Sequence, residues 1–191
     1  FQLSGGMTRR ILISTAVMET PRLVIADEPT PGLHITAARR VLSHFREIAD
    51  QGAGVLLITH DLELALDTAD RIVVFYAGTN LEEADSRDFA REQTLRHPYS
   101  RALFRAMPEH GFSAAPGAQP FAGELPEGCP YGPRCPWAEE VCRGEVPYRE
   151  LRGGRVRCAR AEWLMEQDDL VERPDGAAAG DSGGREMRDG T

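Results

Sequence analysis

The sequence has 191 residues, 41% of them hydrophobic, and a formal net charge of −8 at pH 7. A chain of this size can bury one ordinary core with a smaller appendage, and its acidic balance argues against a surface that coats nucleic acid. No apolar run approaches the ~20 residues that span a bilayer, and the first residues lack a signal-peptide pattern. We therefore expect a soluble protein without an export signal of its own.

The first part of the chain alternates between predicted helices and strands. Residues 8–18 predict a helix, and short runs rich in Val and Ile predict buried strands at 23–26, 55–58 and 72–75. The helical spacing of apolar residues after the first strand predicts a crossover helix, and Asp61 is suited to cap a second one. This alternation is typical of an α/β fold with a parallel sheet, in which ligands bind at the carboxyl ends of the strands.

The composition changes after Gly78. Residues 81–110 are charged and predict helix, residues 111–133 are rich in Pro and Gly, and all four cysteines follow residue 128. From Pro174 onward the chain has almost no bulky apolar residue, which predicts a disordered tail. The sequence therefore predicts three regions, which are a nucleotide-related region 1–80, an accessory region 81–165 and a tail 166–191.

The strand at residues 23–26 ends in two adjacent carboxylates. Because the strand fixes the backbone, Asp27 can reach a magnesium ion, directly or through water, while Glu28 points elsewhere and can polarise an attacking water. Taken alone, the segment fits equally well the alternative interpretation, in which a strand ends in an acidic turn without a catalytic role.

Two further motifs point to phosphate chemistry. Ser4, Gly5 and Gly6 precede the helix at 8–18, and the start of a helix offers N–H groups and a positive dipole end to phosphate. His60 follows the second strand, a position from which an imidazole can contact a terminal phosphate. Singly, the glycines suit a turn and His60 suits a structural role, but the order and spacing of all three motifs favour a phosphate site.

These three motifs occur in the order typical of one known family. Residues 3–7, 23–30 and 58–61 resemble the signature loop, the Walker B segment and the switch histidine of ATP-binding-cassette (ABC) ATPases. The resemblance implies a partial P-loop NTPase fold that hydrolyses ATP with Mg²⁺. The Walker A loop of that family should lie upstream of these motifs and is absent, so we expect the sequence to be part of a longer chain and the fragment alone to be inactive.

The resemblance also assigns roles to individual residues. Asp27 matches the magnesium-associated Asp, Glu28 the general base, and His60 the residue that senses the γ-phosphate. In the head-to-tail dimer of the family, each ATP lies between the Walker motifs of one subunit and the signature of the other, so this chain's signature contacts ATP held by the partner subunit. The signature residues are Ser4, Gly5, Gly6 and Met7.

The downstream part narrows the resemblance. Residues 97–103 and the cysteines resemble the C-terminal extension of the ATPase subunits of oligopeptide, dipeptide and nickel importers, and these cysteines are Cys129, Cys135, Cys142 and Cys158. The resemblance implies an ATPase subunit that energises uptake of peptides, or of nickel and metal chelates. The implied partners are a second ATPase subunit, two membrane-spanning permease subunits and, indirectly, an extracytoplasmic binding protein. The implied location is cytoplasmic, on the inner face of the cell membrane.

Two positions depart from the family pattern. Met7 stands where the signature usually has Gln, and His34 ends a loop that usually reads Ser-Ala-Leu-Asp. Because Met7 faces ATP held by the partner, whereas Glu28 serves the site on its own chain, we expect an asymmetric heterodimer. The site completed by this chain's signature is weakened, and the site that uses Glu28 stays catalytic.

The four cysteines predict a metal site. They are separated by five, six and fifteen residues, a pattern without the Cys-x-x-Cys pairs of many structural zinc sites. Stable disulfides are disfavoured in the cytosol. An iron-sulfur cluster is therefore the first interpretation, zinc the second and unligated thiols the third. The three other histidines are interpreted as surface or packing residues rather than nickel ligands, namely His44, His97 and His110.

Two alternative functions remain open from the sequence. The Gly-Leu-His at residues 32–34 also resembles nucleotide-excision-repair ATPases, which bind DNA and zinc, and a truncated gene would leave an inactive remnant. The acidic balance, the residues around His60 and the block at 97–103 argue against the DNA-repair reading. We expect no nucleic-acid partner.

Overall fold

The computed structural model describes residues 5–18, 21–121 and 123–171. None of the helices in these ranges is both long and apolar enough to cross a membrane. The α/β class predicted from the sequence is confirmed. The principal elements, in chain order, are α1 (Gly5–Val17), β1 (Leu23–Asp27), α2 (Ile35–Asp50), β2 (Gly54–Ile58), α3 (Leu62–Thr68), β3 (Arg71–Tyr76), β4 (Thr79–Asp85), α4 (Pro98–Ala106), β5 (Arg149–Leu151), β6 (Gly154–Val156) and α5 (Ala161–Val171).

Strands β1 and β2 form a parallel pair, as the sequence predicts. Their register runs from Leu23 opposite Gly54 to Asp27 opposite Ile58, so both strands end at the same edge. Helix α2 covers one face of this pair, because its apolar stripe packs against the inward side chains of β1. The buried residues of this core are Val24, Ala26, Ala38, Val41, Leu42, Phe45 and Leu64.

Helices α2 and α3 each begin at a residue whose side chain caps them. The ring of His34 accepts a hydrogen bond from the Thr36 backbone N–H at 3.4 Å, at the start of α2. The carboxylate of Asp61 accepts one from the Leu64 N–H at 3.1 Å, at the start of α3. The Asp61 cap is therefore confirmed, and these caps satisfy helix N–H groups that otherwise lack partners.

The third predicted strand does not join the parallel pair. Strand β3 instead belongs to an antiparallel sheet with the order β3-β4-β6-β5, so the expected three-stranded parallel sheet is wrong at this strand. The physical reason is the two-residue connection to β4, in which Ala77 has φ 46° and Gly78 has φ 79°. Two consecutive positive φ values are typical of the tight turns that close antiparallel hairpins.

The helix predicted for residues 81–110 is also wrong over much of its length. Residues 79–85 form β4, short 3₁₀ turns follow, and the regular helix covers only Pro98–Ala106. Charged side chains of β4 pair across the hairpin rather than along a helix, as in the 2.9 Å hydrogen bond from Arg71 to Glu83. The predicted helix at 8–18 is present, beginning at Gly5, and the tail predicted from residue 174 lies outside the described residues.

A buried charge network joins the second sheet to α4. The carboxylate of Glu82, in β4, is fully buried and accepts the backbone N–H groups of Arg96 and His97, each at 2.8 Å. The Arg96 guanidinium lies 3.2 Å from the same carboxylate and donates to the carbonyls of Leu151 and Arg152 at 2.7 and 2.5 Å. This pairing fixes the turn between β5 and β6 beside the start of α4, because buried charges are stable only when they are paired and hydrogen-bonded.

Candidate functional site

The paired carboxylates lie at the carboxyl end of β1. Asp27 is the last residue of the strand and is exposed. Glu28 has φ 45°, in the left-handed region that residues other than glycine rarely adopt, and its backbone N–H donates to the Ile58 carbonyl at 2.9 Å. Strained backbone of this kind is concentrated at functional sites. This hydrogen bond extends the β1–β2 pairing by one residue, and it places Glu28 beside the loop that contains His60.

Glu28 and His60 are in direct contact. The Nδ1 atom of His60 lies 2.9 Å from Oε1 of Glu28, and the His60 ring is 78% exposed, whereas the Glu28 side chain is 37% exposed. The hydrogen bond with Glu28, followed by the charge of that carboxylate, raises the pKa of His60 above its usual value. The sequence predicts both residues as part of one site, and the structure brings them together.

The second carboxylate oxygen of Glu28 has no protein partner among the described residues. This Oε2 atom is buried, although buried polar oxygens are nearly always hydrogen-bonded. One oxygen of Glu28 is therefore held by His60, and the other is available as an acceptor. A carboxylate with a free oxygen beside an exposed imidazole can accept a proton from water.

The other residues predicted from the signature and its neighbouring loops have separate positions. Gly5 and Gly6 are the first residues of α1, Met7 is 51% exposed, and Ser4 lies outside the described residues. His34 is the N-cap of α2, which gives this departure from the family pattern a structural role.

The four cysteines line one small cavity, which they share with His97, Trp137 and Leu164. All four are free thiols, with Cys129 and Cys158 buried and Cys135 and Cys142 partly buried. Within residues 5–18, 21–121 and 123–171, no three His, Cys, Asp or Glu side chains are grouped closely enough to hold one metal ion. The structure thus gathers the predicted cysteines around one space without the tight grouping of a single-ion site.

Burial dominates the chemistry of these thiols. It raises the pKa of all four, to about 11 for Cys135 and to about 12 for Cys158. Backbone N–H groups oppose this effect at three of the cysteines, because each hydrogen-bonds the sulfur two residues earlier and favours its thiolate. The donors are Tyr131 for Cys129, Trp137 for Cys135 and Arg160 for Cys158.

His97 is a buried neighbour of this cavity that the sequence reading treats only as a surface or packing residue. Its ring is 1% exposed and caps α4, where Nδ1 accepts the Tyr99 N–H at 2.9 Å. Its Nε2 lies 3.8 Å from the sulfur of Cys129. Burial lowers the pKa of His97 to about 3, so the imidazole is neutral. The residues are 32 positions apart, and no sequence spacing reveals their contact.

Comparisons with known proteins identify relatives along most of the chain. Residues 81–142 match the family described as the oligopeptide/dipeptide transporter, C-terminal region. The dipeptide transport ATP-binding protein DppD of Haemophilus influenzae is 39% identical over 178 residues, 90% of this chain and 53% of the relative. The oligopeptide transport ATP-binding protein OppD of Escherichia coli K12 is 36% identical over 162 residues, 82% of this chain and 48% of the relative.

The chain therefore spans about half the length of the curated relatives it matches. Among solved structures, the ADP conformation of an ATP-binding cassette of an ABC transporter is 30% identical with a TM-score of 0.41, over 44% of this chain and 33% of that one. Together, the matched family and the curated relatives show that the chain is similar to part of the ATP-binding proteins of dipeptide and oligopeptide transport.

Proposed function

We propose that the chain contributes the ATP-hydrolysing residues of a subunit that energises peptide uptake. The observation that carries this proposal is the 2.9 Å contact between Glu28 and His60 at the ends of two parallel strands. The curated relatives support peptides as the solute, since they are named for dipeptide and oligopeptide transport. These names also favour transport over DNA repair and over nickel uptake.

In this proposal, each residue at the strand ends has one task. Asp27 binds the Mg²⁺ that accompanies ATP, directly or through water. Glu28 accepts the proton of the attacking water through its free carboxylate oxygen, and His60 contacts the γ-phosphate through its exposed ring. The contact between them orients the carboxylate before nucleotide arrives.

The proposed assembly contains two ATPase subunits and two permease subunits at the inner face of the cell membrane, supplied with peptide by an extracytoplasmic binding protein. The signature of this chain, Ser4 to Met7, faces ATP on the partner ATPase subunit. We retain the asymmetric heterodimer as part of the proposal, because Met7 replaces a polar residue at that site. The division of the chain into regions 1–80, 81–165 and 166–191 is also part of the proposal. The boundary between the first two regions falls within the β3–β4 hairpin.

The test is ATP hydrolysis by the complete importer that contains this subunit. Glu28→Gln keeps the size of the side chain but removes the proton acceptor, and we expect loss of at least about 100-fold in turnover. Glu63→Gln is the control, because Glu63 is an exposed carboxylate in an ion pair on α3. Wild-type turnover by the Glu28→Gln importer would refute the assignment, and an inactive wild-type importer would favour the remnant interpretation.

The four cysteines hold an iron-sulfur cluster in the same proposal. The donor set supports this proposal, because four cysteine sulfurs around one cavity are the ligands typical of an iron-sulfur cluster. N–H donors to three of the sulfurs favour their thiolate forms. When bound, the cluster supplies a cross-link between loops distant in sequence.

Anaerobic purification followed by a visible spectrum and iron and zinc assays tests the cluster. We expect a brown protein with stoichiometric iron that is lost in Cys135→Ser. Colourless protein with stoichiometric zinc would contradict the cluster. Protein without metal would favour the interpretation of the four cysteines as unligated thiols.

A further inference from the structure

The backbone on both sides of the His97 ring is fixed. The His97 N–H donates to the buried carboxylate of Glu82 at 2.8 Å, and the His97 carbonyl accepts the Arg101 N–H at 3.2 Å. The ring itself is buried between Tyr131, whose ring centre is 6.1 Å away, and the cysteine cavity. The imidazole therefore has little freedom to turn away from the cavity.

The hydrogen bond at Nδ1 determines which ring nitrogen of His97 carries the proton. Nδ1 accepts the Tyr99 N–H at 2.9 Å, and a nitrogen that accepts a hydrogen bond has no proton of its own. The proton of this neutral imidazole is therefore on Nε2. Nε2 lies 3.8 Å from the Cys129 sulfur, so the contact runs from the N–H of His97 to that sulfur.

The Cys129 sulfur receives another donor as well. The backbone N–H of Tyr131 hydrogen-bonds to it, whereas the Gly132 N–H donates to the Cys129 carbonyl at 2.9 Å. With the ring of His97, two N–H groups converge on one buried sulfur. Such donors stabilise negative charge on sulfur and draw electron density away from it.

We propose that His97 is a positioning residue that donates a hydrogen bond to the Cys129 thiolate and thereby raises the reduction potential of the cluster. This inference rests on the proposed cluster. A cluster gains negative charge on reduction, so a hydrogen bond to one of its sulfurs stabilises the reduced form more than the oxidised form. His97 thus links the cap of α4 and the buried Glu82 network to the electronic state of the cysteine site.

Two substitutions separate the roles of the two ring nitrogens. His97→Asn places a carbonyl oxygen near the position of Nδ1 and keeps a favoured N-cap, but its side chain is too short to reach Cys129. His97→Gln places an amide N–H near the position of Nε2 and keeps the donor to sulfur, but weakens the cap. His44→Asn is the control, because His44 is an exposed histidine on α2.

The measurement is the reduction potential of the anaerobically purified subunit, by titration followed in the visible spectrum, with iron content measured for each variant. We expect His97→Asn to shift the potential to a more negative value, and His97→Gln and His44→Asn to keep the wild-type potential. If His97→Asn loses its iron, a wild-type potential in His97→Gln still supports the inference. An unchanged reduction potential in His97→Asn would overturn the inference. Equal shifts of the potential in both His97 variants, or loss of iron from both, would also overturn it. In each case the iron-containing wild-type protein would still support the proposed cluster. Iron-free wild-type protein would instead overturn the proposed cluster and this inference with it.

Discussion

The buried carboxylate of Glu82 gives a stability prediction whose size follows from its hydrogen bonds. Glu82→Gln leaves one carbonyl oxygen in place of two, so one of the two backbone N–H groups, of Arg96 or His97, loses its acceptor at a cost of ~1–3 kcal/mol. It also removes a charge paired with Arg96, and breaking a buried pair costs ~3–5 kcal/mol. Arg96 keeps Asp88 at 2.8 Å, which reduces that second cost. We expect a total loss of ~3–5 kcal/mol.

The assay is urea unfolding of the purified protein, followed by far-ultraviolet circular dichroism. The midpoint should fall while the slope stays unchanged, since the surface exposed on unfolding does not change. Glu63→Gln is the matched control, because it breaks an exposed pair with Arg39 at 3.2 Å, and such pairs contribute at most ~1 kcal/mol. A loss of less than ~1 kcal/mol in Glu82→Gln would refute the view that this network holds the second sheet to α4.

Three further predictions address the site and the packing. The pKa of His60 should exceed 6.5 in a nuclear magnetic resonance titration and return toward 6.5 in Glu28→Gln; because the folded-state pKa is raised, the stability from this contact is complete below pH 6.5 and is lost as pH rises through the raised value. Gly128→Ala should cost at least ~3 kcal/mol in urea unfolding, since φ is +81° and a Cβ would collide with the carbonyl of Cys142; a cost near zero would contradict this loop geometry. Phe45→Ala, at a position 3% exposed, should cost ~3–5 kcal/mol by the same assay, and a loss below ~1 kcal/mol would contradict its place in the core.

The sequence predicts the first half of the fold well because its signals are local. The apolar runs of β1 and β2 and the stripe of α2 each have one periodicity, and the cap at Asp61 needs only its neighbours. The carboxyl-end rule for parallel strands then places Glu28 near His60 without further information.

The second sheet could not be predicted in the same way. Its first hairpin turns at Ala77 and Gly78, and a non-glycine residue at positive φ is not a usual turn signal. Strand β4 carries three acidic residues in seven, a composition that favours the prediction of an exposed helix. The complete burial of Glu82 depends on its contact with Arg96, which lies fourteen residues later in the sequence. The sequence does contain the signal of a helix start at His97 and Pro98, which the structure realises as α4.

The proposed chemistry makes Glu28 and His60 one functional unit, and a double-mutant cycle tests this most directly. Single-turnover ATP hydrolysis would be measured for the complete importer with Glu28→Gln, with His60→Ala and with both changes. Because residues that act as a unit lose their function together, we expect the double variant to hydrolyse ATP no more slowly than the slower single variant. Losses that multiply in the double variant would contradict a shared role for the two residues that the structure holds 2.9 Å apart.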